Sequence, residues 1–175
     1  MKKKKINKQE GILFWITGLP GSGKSTISKI IVKDIRKNYG PTIIIHGDEL
    51  RAIFDLKGYS RKERFLNGKK FINLIKLIVR QKFNVVFAVV GLFDKLRKIN
   101  KNEFKNYIEI YIKADLEKVI KLSNKKFYKK KKNIIGLDIK AEFPKNPNIL
   151  IINSFKTNPN TLALELKKKI DKIIF

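Results

Sequence analysis

Cysteine is absent from these 175 residues, which excludes a disulfide framework and any thiolate metal centre. A reducing compartment fits this, and the cytoplasm is the expected location. Long apolar runs are also absent, since none reaches the ~18 residues that cross a bilayer. Met1–Gly11 has the lysines of a signal n-region, but only the short stretch Ile12–Thr17 follows before a glycine-rich turn. Residues 1–11 therefore read as a basic tail rather than a targeting signal, and no membrane partner is expected. Acid is scarce, with 15 Asp and Glu against 41 Lys and Arg and a net charge of +26, where a small domain usually carries ~2–8. Arginine is scarce within the basic set, occurring only at positions 36, 51, 61, 64, 80 and 97. The residue best suited to base and phosphate forks is thus thinly used, and no aromatic-studded RNA-reading motif appears. The excess charge reads as a lysine-rich solvated surface whose field attracts anionic nucleotides.

Hydrophobic residues make up 43%, enough for one domain over residues 12–175 with a sizeable core. Apolar runs alternate with helical patterns. The expected strands are Ile12–Thr17, Thr42–His46, Asn84–Val90, Tyr107–Lys113 and Asn148–Asn153, each nearly continuous in apolar character, as in parallel sheets buried on both faces. The expected helices are Ser25–Asn38, Arg61–Gln81, Asp94–Phe104, Leu116–Leu122 and Thr161–Ile174. This alternation predicts an α/β fold with right-handed crossovers, and ligands of such sheets sit beyond the carboxyl ends of the strands. Lys125–Lys132 carries six lysines in eight positions. It is either a solvated loop or a basic lid over phosphates, placed at about 123–136.

Gly18–Thr26 reads GLPGSGKST and satisfies G-x-x-x-x-G-K-[ST] between a predicted strand and a predicted helix, the context that pattern requires. Gly18, Gly21, Ser22 and Gly23 would turn main-chain N–H groups around phosphates, and the helix start adds partial positive charge. Lys24 would reach the β- and γ-phosphates, with Ser25, followed by Thr26, placing a hydroxyl on Mg²⁺. ATP with magnesium is the expected co-substrate. The whole chain then reads as a P-loop kinase: three layers, α/β/α, around a mainly parallel five-stranded sheet with a short basic lid. Asp94 ends an apolar run and offers a carboxylate that could also reach the metal. A second informative stretch is His46-Gly47-Asp48-Glu49-Leu50-Arg51 at the end of the second strand. Asp48 there could accept a hydroxyl proton or hold magnesium, and Arg51 could grip a phosphate or sulfate. Standing alone, the stretch would read as a loop with a helix-capping Asp.

Further motifs follow. Gly58-Tyr59-Ser60 precedes Arg64 and Asn67; Leu116-Glu117 opens a helix; Tyr128-Lys129-Lys130 lies in the basic run; Gly136-Leu137-Asp138 leads to Glu142 and then Asn146-Pro147. Together with the P-loop and His46–Arg51, these resemble the adenylylsulfate (APS) kinase family from about Ile12 to Asn153. The resemblance implies ATP-dependent phosphorylation of a nucleotide ribose 3′-hydroxyl. Asp48 becomes the catalytic or metal-organising carboxylate beside Lys24, with Ser25 and Asp48 on the metal. Arg51, Tyr59, Arg64, Asn67, Phe93, Lys125 and Asp138 become acceptor-binding residues. Tyr59 would stack on the base, although core packing is an equal reading of an aromatic there.

The departures concentrate on the acceptor side. His46 replaces the first Asp of the family's D-G-D, and reads more simply as a loop residue than as a pH-sensitive contact. Val90-Gly91-Leu92-Phe93-Asp94 stands where the family has I-S-P-[FY]-R, so Ser, Pro and Arg are gone and the last position is acidic. Leu122-Ser123 replaces an R-D pair before the lid. The first expectation is an adenylylsulfate acceptor giving 3′-phosphoadenylylsulfate. The alternative is the same reaction on cytidine diphosphoramidate, as in relatives from surface-polysaccharide loci. A nucleic-acid-stimulated ATPase and a non-catalytic ATP binder are further readings. The expected partners are ATP and a small nucleotide acceptor, with a homodimer left open.

Overall fold

The computed structural model describes residues 6–122 and 132–174. Five parallel strands form one sheet: β1 (Leu13–Thr17), β2 (Thr42–His46), β3 (Asn84–Ala88), β4 (Tyr107–Ala114) and β5 (Ile149–Asn153). Their order is β2-β3-β1-β4-β5, so β1 lies at the centre between β3 and β4. The helices are α1 (Lys24–Tyr39), α2 (Gly47–Ile53), α3 (Arg61–Arg80), α4 (Asp94–Glu103), α5 (Leu116–Leu122) and α6 (Pro159–Ile174). This is the expected α/β/α arrangement.

The strands alternate their side chains between two cores, as period 2 requires. Phe14 and Ile16 of β1 face α1 and α6 together with Ile108, Ile110 and Ile112 of β4. Leu13 and Trp15 face α3 and α4 with Phe71, Ile75 and Leu96. Because both faces of the inner strands are covered, they read as nearly continuous apolar runs. On the α3 side, Trp15 meets Phe87 edge-on at 5.1 Å between centroids.

Two boundaries differ from expectation. β3 ends at Ala88, two residues before Val90, and the chain then turns at Gly91 into α4. His46–Arg51 is not an open loop but the start of α2. His46 caps this helix in a capping box with Glu49: the Glu49 carboxylate accepts from the His46 N–H at 3.2 Å and contacts Nδ1 at 2.9 Å. Ile6 packs beside the α1 core, and Asn106 fastens the chain that follows by accepting from the Asn7 N–H at 2.8 Å and donating to the Glu10 carbonyl at 3.0 Å. Of the basic lid, residues 123–131 lie outside the described residues, Lys125 among them. No helix among the described residues is long and apolar enough to cross a membrane.

Candidate active site

At the carboxyl end of β1 the chain turns through Gly18–Gly23 and enters α1 at Lys24. Gly23 occupies the left-handed region at φ 91°. A Cβ there would approach the Asn153 Nδ2 to 2.8 Å, and that same amide donates to the Ser22 carbonyl at 3.1 Å. The end of β5 thus braces the turn from behind. No side chain caps α1, and its first turn holds no acid. Its leading N–H groups and partial positive charge therefore face the cleft without an acid of the helix itself competing for them.

The Lys24 ammonium is buried and donates to the Leu19 carbonyl at 2.6 Å. Burial lowers its pKa to about 8, and Asp48 partly offsets this by attracting the charge. Asp48 sits on the first turn of α2, exposed toward the cleft. Its helix is tied to α1 through His46, whose Nε2 lies 3.1 Å from the Ser28 Oγ. The Ser28 hydroxyl in turn donates to the Ser25 carbonyl at 2.9 Å. The helix bearing Lys24 and Ser25 and the helix bearing Asp48 are thereby held by one buried imidazole.

A cleft of about 320 Å³ opens between these helices and the start of α3, with Trp15, Val89, Val90 and Ile135 among its walls. Arg51, Tyr59, Arg64, Asn67 and Phe93 all line it, opposite Lys24 and Ser25. The Tyr59 ring is flanked by two cations: the Arg51 guanidinium lies 3.9 Å from its centroid and that of Arg64 lies 5.1 Å away. Both arginines are anchored to main chain. Arg51 donates to the Leu56 carbonyl at 2.6 Å and the Gly58 carbonyl at 2.5 Å. Arg64 donates to the Tyr59 carbonyl at 2.8 Å and the Asn133 carbonyl at 2.9 Å. Burial first, and then the neighbouring Arg51, pull the Arg64 pKa below the usual arginine value. Two cations held this close leave a positive wall facing the phosphate cradle.

Other sequence candidates lie elsewhere. The exposed Asp138 accepts from the Ile134 N–H at 2.9 Å and closes a local turn outside the cleft. Thr26 is exposed on α1, while Gly18, Ser22 and Gly23 form the turn beneath the cleft surface. Asp94 pairs with Arg97, which is itself 3.1 Å from the buried Glu109. That pairing commits the Asp94 carboxylate to holding the start of α4. Trp15, Val89 and Ile135 were not singled out from sequence, because apolar residues on buried elements carry no local mark of lining a cavity.

A phosphate cradle at the end of β1, faced by a carboxylate and a cationic wall, defines the class as a P-loop kinase. A model of the adenylylsulphate kinase family matches residues 10–152, and the chain belongs to that family. It is 32% identical over 172 residues to the cytidine diphosphoramidate kinase of Campylobacter jejuni subsp. jejuni serotype O:2, covering 95% of this chain and 96% of that one. It is 31% identical over 164 residues to a probable adenylyl-sulfate kinase of Aeropyrum pernix, covering 88% and 87%. Its fold matches the Mycobacterium tuberculosis APS kinase CysC in complex with AMPPNP and APS with a TM-score of 0.81. That match has 21% identity and covers 93% of this chain and 98% of that chain.

Proposed function

We propose that this kinase transfers the γ-phosphoryl group of ATP to the ribose 3′-hydroxyl of a nucleotide acceptor, and that the acceptor is cytidine diphosphoramidate. The observation that carries the acceptor assignment is the backbone of the loop after β3. Gly91 lies at φ 44°, and a Cβ there would come within 2.8 Å of the Trp15 ring. The family's serine at this position would therefore be strained in this loop. Leu92 is fully buried, and Asp94 is turned onto Arg97. The loop offers the cleft only Val89, Val90, Gly91 and Phe93, and no cation. A terminal sulfate presents only acceptor oxygens and suits an arginine fork. A phosphoramidate replaces one oxygen with an amino group that donates, and so asks one hydrogen-bond donor fewer of the protein. The curated relative of that name, matched over nearly the full length of both chains, supports the same reading.

The residues divide the work by position. The P-loop amides and Lys24 hold the ATP phosphates and stabilise charge as the γ-phosphoryl group departs. Asp48, on the opposite lip, takes the acceptor hydroxyl's proton. Arg51 and Arg64 fix the acceptor's anionic groups, and Tyr59 offers an aromatic face to its base. Magnesium fits the donors present. The exposed Ser25 and Asp48 line one cleft, and no cluster of three or more His, Cys, Asp or Glu suited to a metal occurs among the described residues. That suits an ion that keeps most of its water and is held largely through the nucleotide. When bound, it neutralises charge on the phosphates.

The test is acceptor-dependent ADP release from Mg-ATP with cytidine diphosphoramidate, with adenylylsulfate and with neither, the position of the new phosphate being read by NMR. Release driven by the cytidine compound at the 3′ position is the expected result. Release driven by adenylylsulfate alone would overturn the acceptor assignment and leave the kinase reading intact. Adenylylsulfate stays in the comparison because Arg51, Tyr59, Arg64 and Asn67 all converge on the cleft.

A further inference from the structure

The acceptor loop after β3 is gripped from outside the cleft by two residues that do not line it. Glu142 holds the main chain on both sides of Phe93. Its N–H donates to the Leu92 carbonyl at 3.0 Å, and its carboxylate accepts from the Asp94 N–H at 2.6 Å. The other carboxylate oxygen is bound by Arg61, from the first turn of α3. Arg61 also donates to the Lys140 carbonyl at 3.4 Å and lies over the Phe93 ring, 5.1 Å from its centroid. Phe93 is 4% exposed, and the surface it presents belongs to the cleft. One side chain thus ties three segments together: the helix that starts the acceptor wall, the stretch at residues 140–142, and the loop that carries Phe93.

We propose that Arg61 and Glu142 are positioning residues for the acceptor, fixing the Phe93 ring and the loop backbone against which the nucleotide seats. A purely structural tie is the competing account, and the geometry weighs against it. The Arg61 and Glu142 side chains are 52% and 25% exposed, and ion pairs open to water in this way add little to stability. The same contacts converge on a loop whose own side chains are nearly all turned inward, so orientation is what they can supply. Binding energy spent on orientation appears in acceptor affinity and alignment, and leaves the ATP half of the cleft alone. Asp94 belongs to the same device: its N–H is capped by Glu142 from above, while its carboxylate is drawn to Arg97, which also pairs with the buried Glu109 beneath.

This inference rests on the nucleotide-acceptor reading above, so its test has a readout that does not need the acceptor. The variants are Arg61→Ala, Glu142→Ala, the double variant and Arg61→Lys. Each single alanine variant is expected to raise the acceptor KM about five- to tenfold, with the ATP KM unchanged, and the double variant to be no worse than either single, as for residues acting through one contact. Arg61→Lys keeps the charge and is expected to recover part of the loss. In parallel, amide hydrogen exchange at Asp94 is expected to accelerate at least about tenfold in Glu142→Ala, since that carboxylate is its acceptor. A lowered melting temperature with unchanged acceptor KM and unchanged exchange at Asp94 would overturn the proposal. Were the unmodified enzyme to phosphorylate no nucleotide, only the acceptor reading would fall, and exchange at Asp94 would still decide for or against the grip.

Discussion

Lys24 carries the sharpest consequence at the scale of single residues. Burial brings its pKa to about 8 in the free enzyme, so the lysine is partly neutral just above neutrality. Bound phosphates would raise that value, and a group whose pKa rises on binding takes up a proton. ATP affinity should therefore fall as pH climbs through about 8, once the free enzyme no longer supplies the charge. Calorimetry at pH 8–9, in buffers of different ionisation enthalpy, is expected to show net proton uptake that disappears in Lys24→Ala. The same variant should lose about 10²–10³ in kcat, as when one preorganised charge-stabilising group is removed. Asp48→Asn should behave differently, with kcat lower by about 10²–10⁴, the usual share of a general base, and an ATP Kd within a few-fold of the original. Equal losses in turnover and ATP binding would move Asp48 from the acceptor side to the nucleotide side. Lys24 was legible because a P-loop is a local pattern, and Asp48 only through the resemblance of His46–Arg51 to a family motif. Arg61 and Glu142 were less so: they are 81 positions apart, and only the fold brings their side chains together.

The elements record which signals were strong. β1 through β5 were legible as nearly continuous apolar runs because the inner strands are covered on both faces, while the edges leave Ile43 of β2 and Leu150 and Ile152 of β5 open. α3 was legible for its length and apolar period, and its start is marked by a capping box: the Ser60 hydroxyl accepts from the Glu63 N–H at 3.3 Å, and the Glu63 carboxylate accepts from the Ser60 N–H at 2.9 Å. Ser60→Ala should cost roughly 1 kcal/mol and loosen the turn that presents Tyr59 and Arg64. Chemical denaturation and acceptor KM together would register both effects. α2 was missed because it spans only seven residues and is capped by a histidine, which is not among the favoured capping residues. Its bond to Ser28 replaces the local signal with a tertiary one. The end of β3 was overextended for a related reason: Val89 and Val90 are as apolar as the strand before them, and only the left-handed turn at Gly91 explains where the chain leaves the sheet.

At the scale of the whole molecule the charge has two kinds of carrier. Four of the six arginines, at positions 51, 61, 64 and 97, bind around the acceptor loop and the wall of the cleft. Among the described residues the lysines are mostly spread over solvated surfaces, as at exposed positions 69, 70, 98, 118 and 172. Arginine, with its planar fork, fixes geometry; lysine supplies field. A field of this size should act on the rate at which anionic nucleotides arrive rather than on how they sit. The on-rate for Mg-ATP is therefore expected to fall steeply between low salt and about 0.5 M, where the Debye length shrinks to a few ångströms, while the off-rate changes little. Stopped-flow measurements with a fluorescent ATP analogue separate the two. A salt effect confined to the off-rate would place the useful charge inside the cleft, on Lys24, Arg51 and Arg64. ATP turnover stimulated by RNA at low salt would instead assign the lysine surface to a nucleic-acid partner, a role for which an arginine-poor surface is poorly equipped.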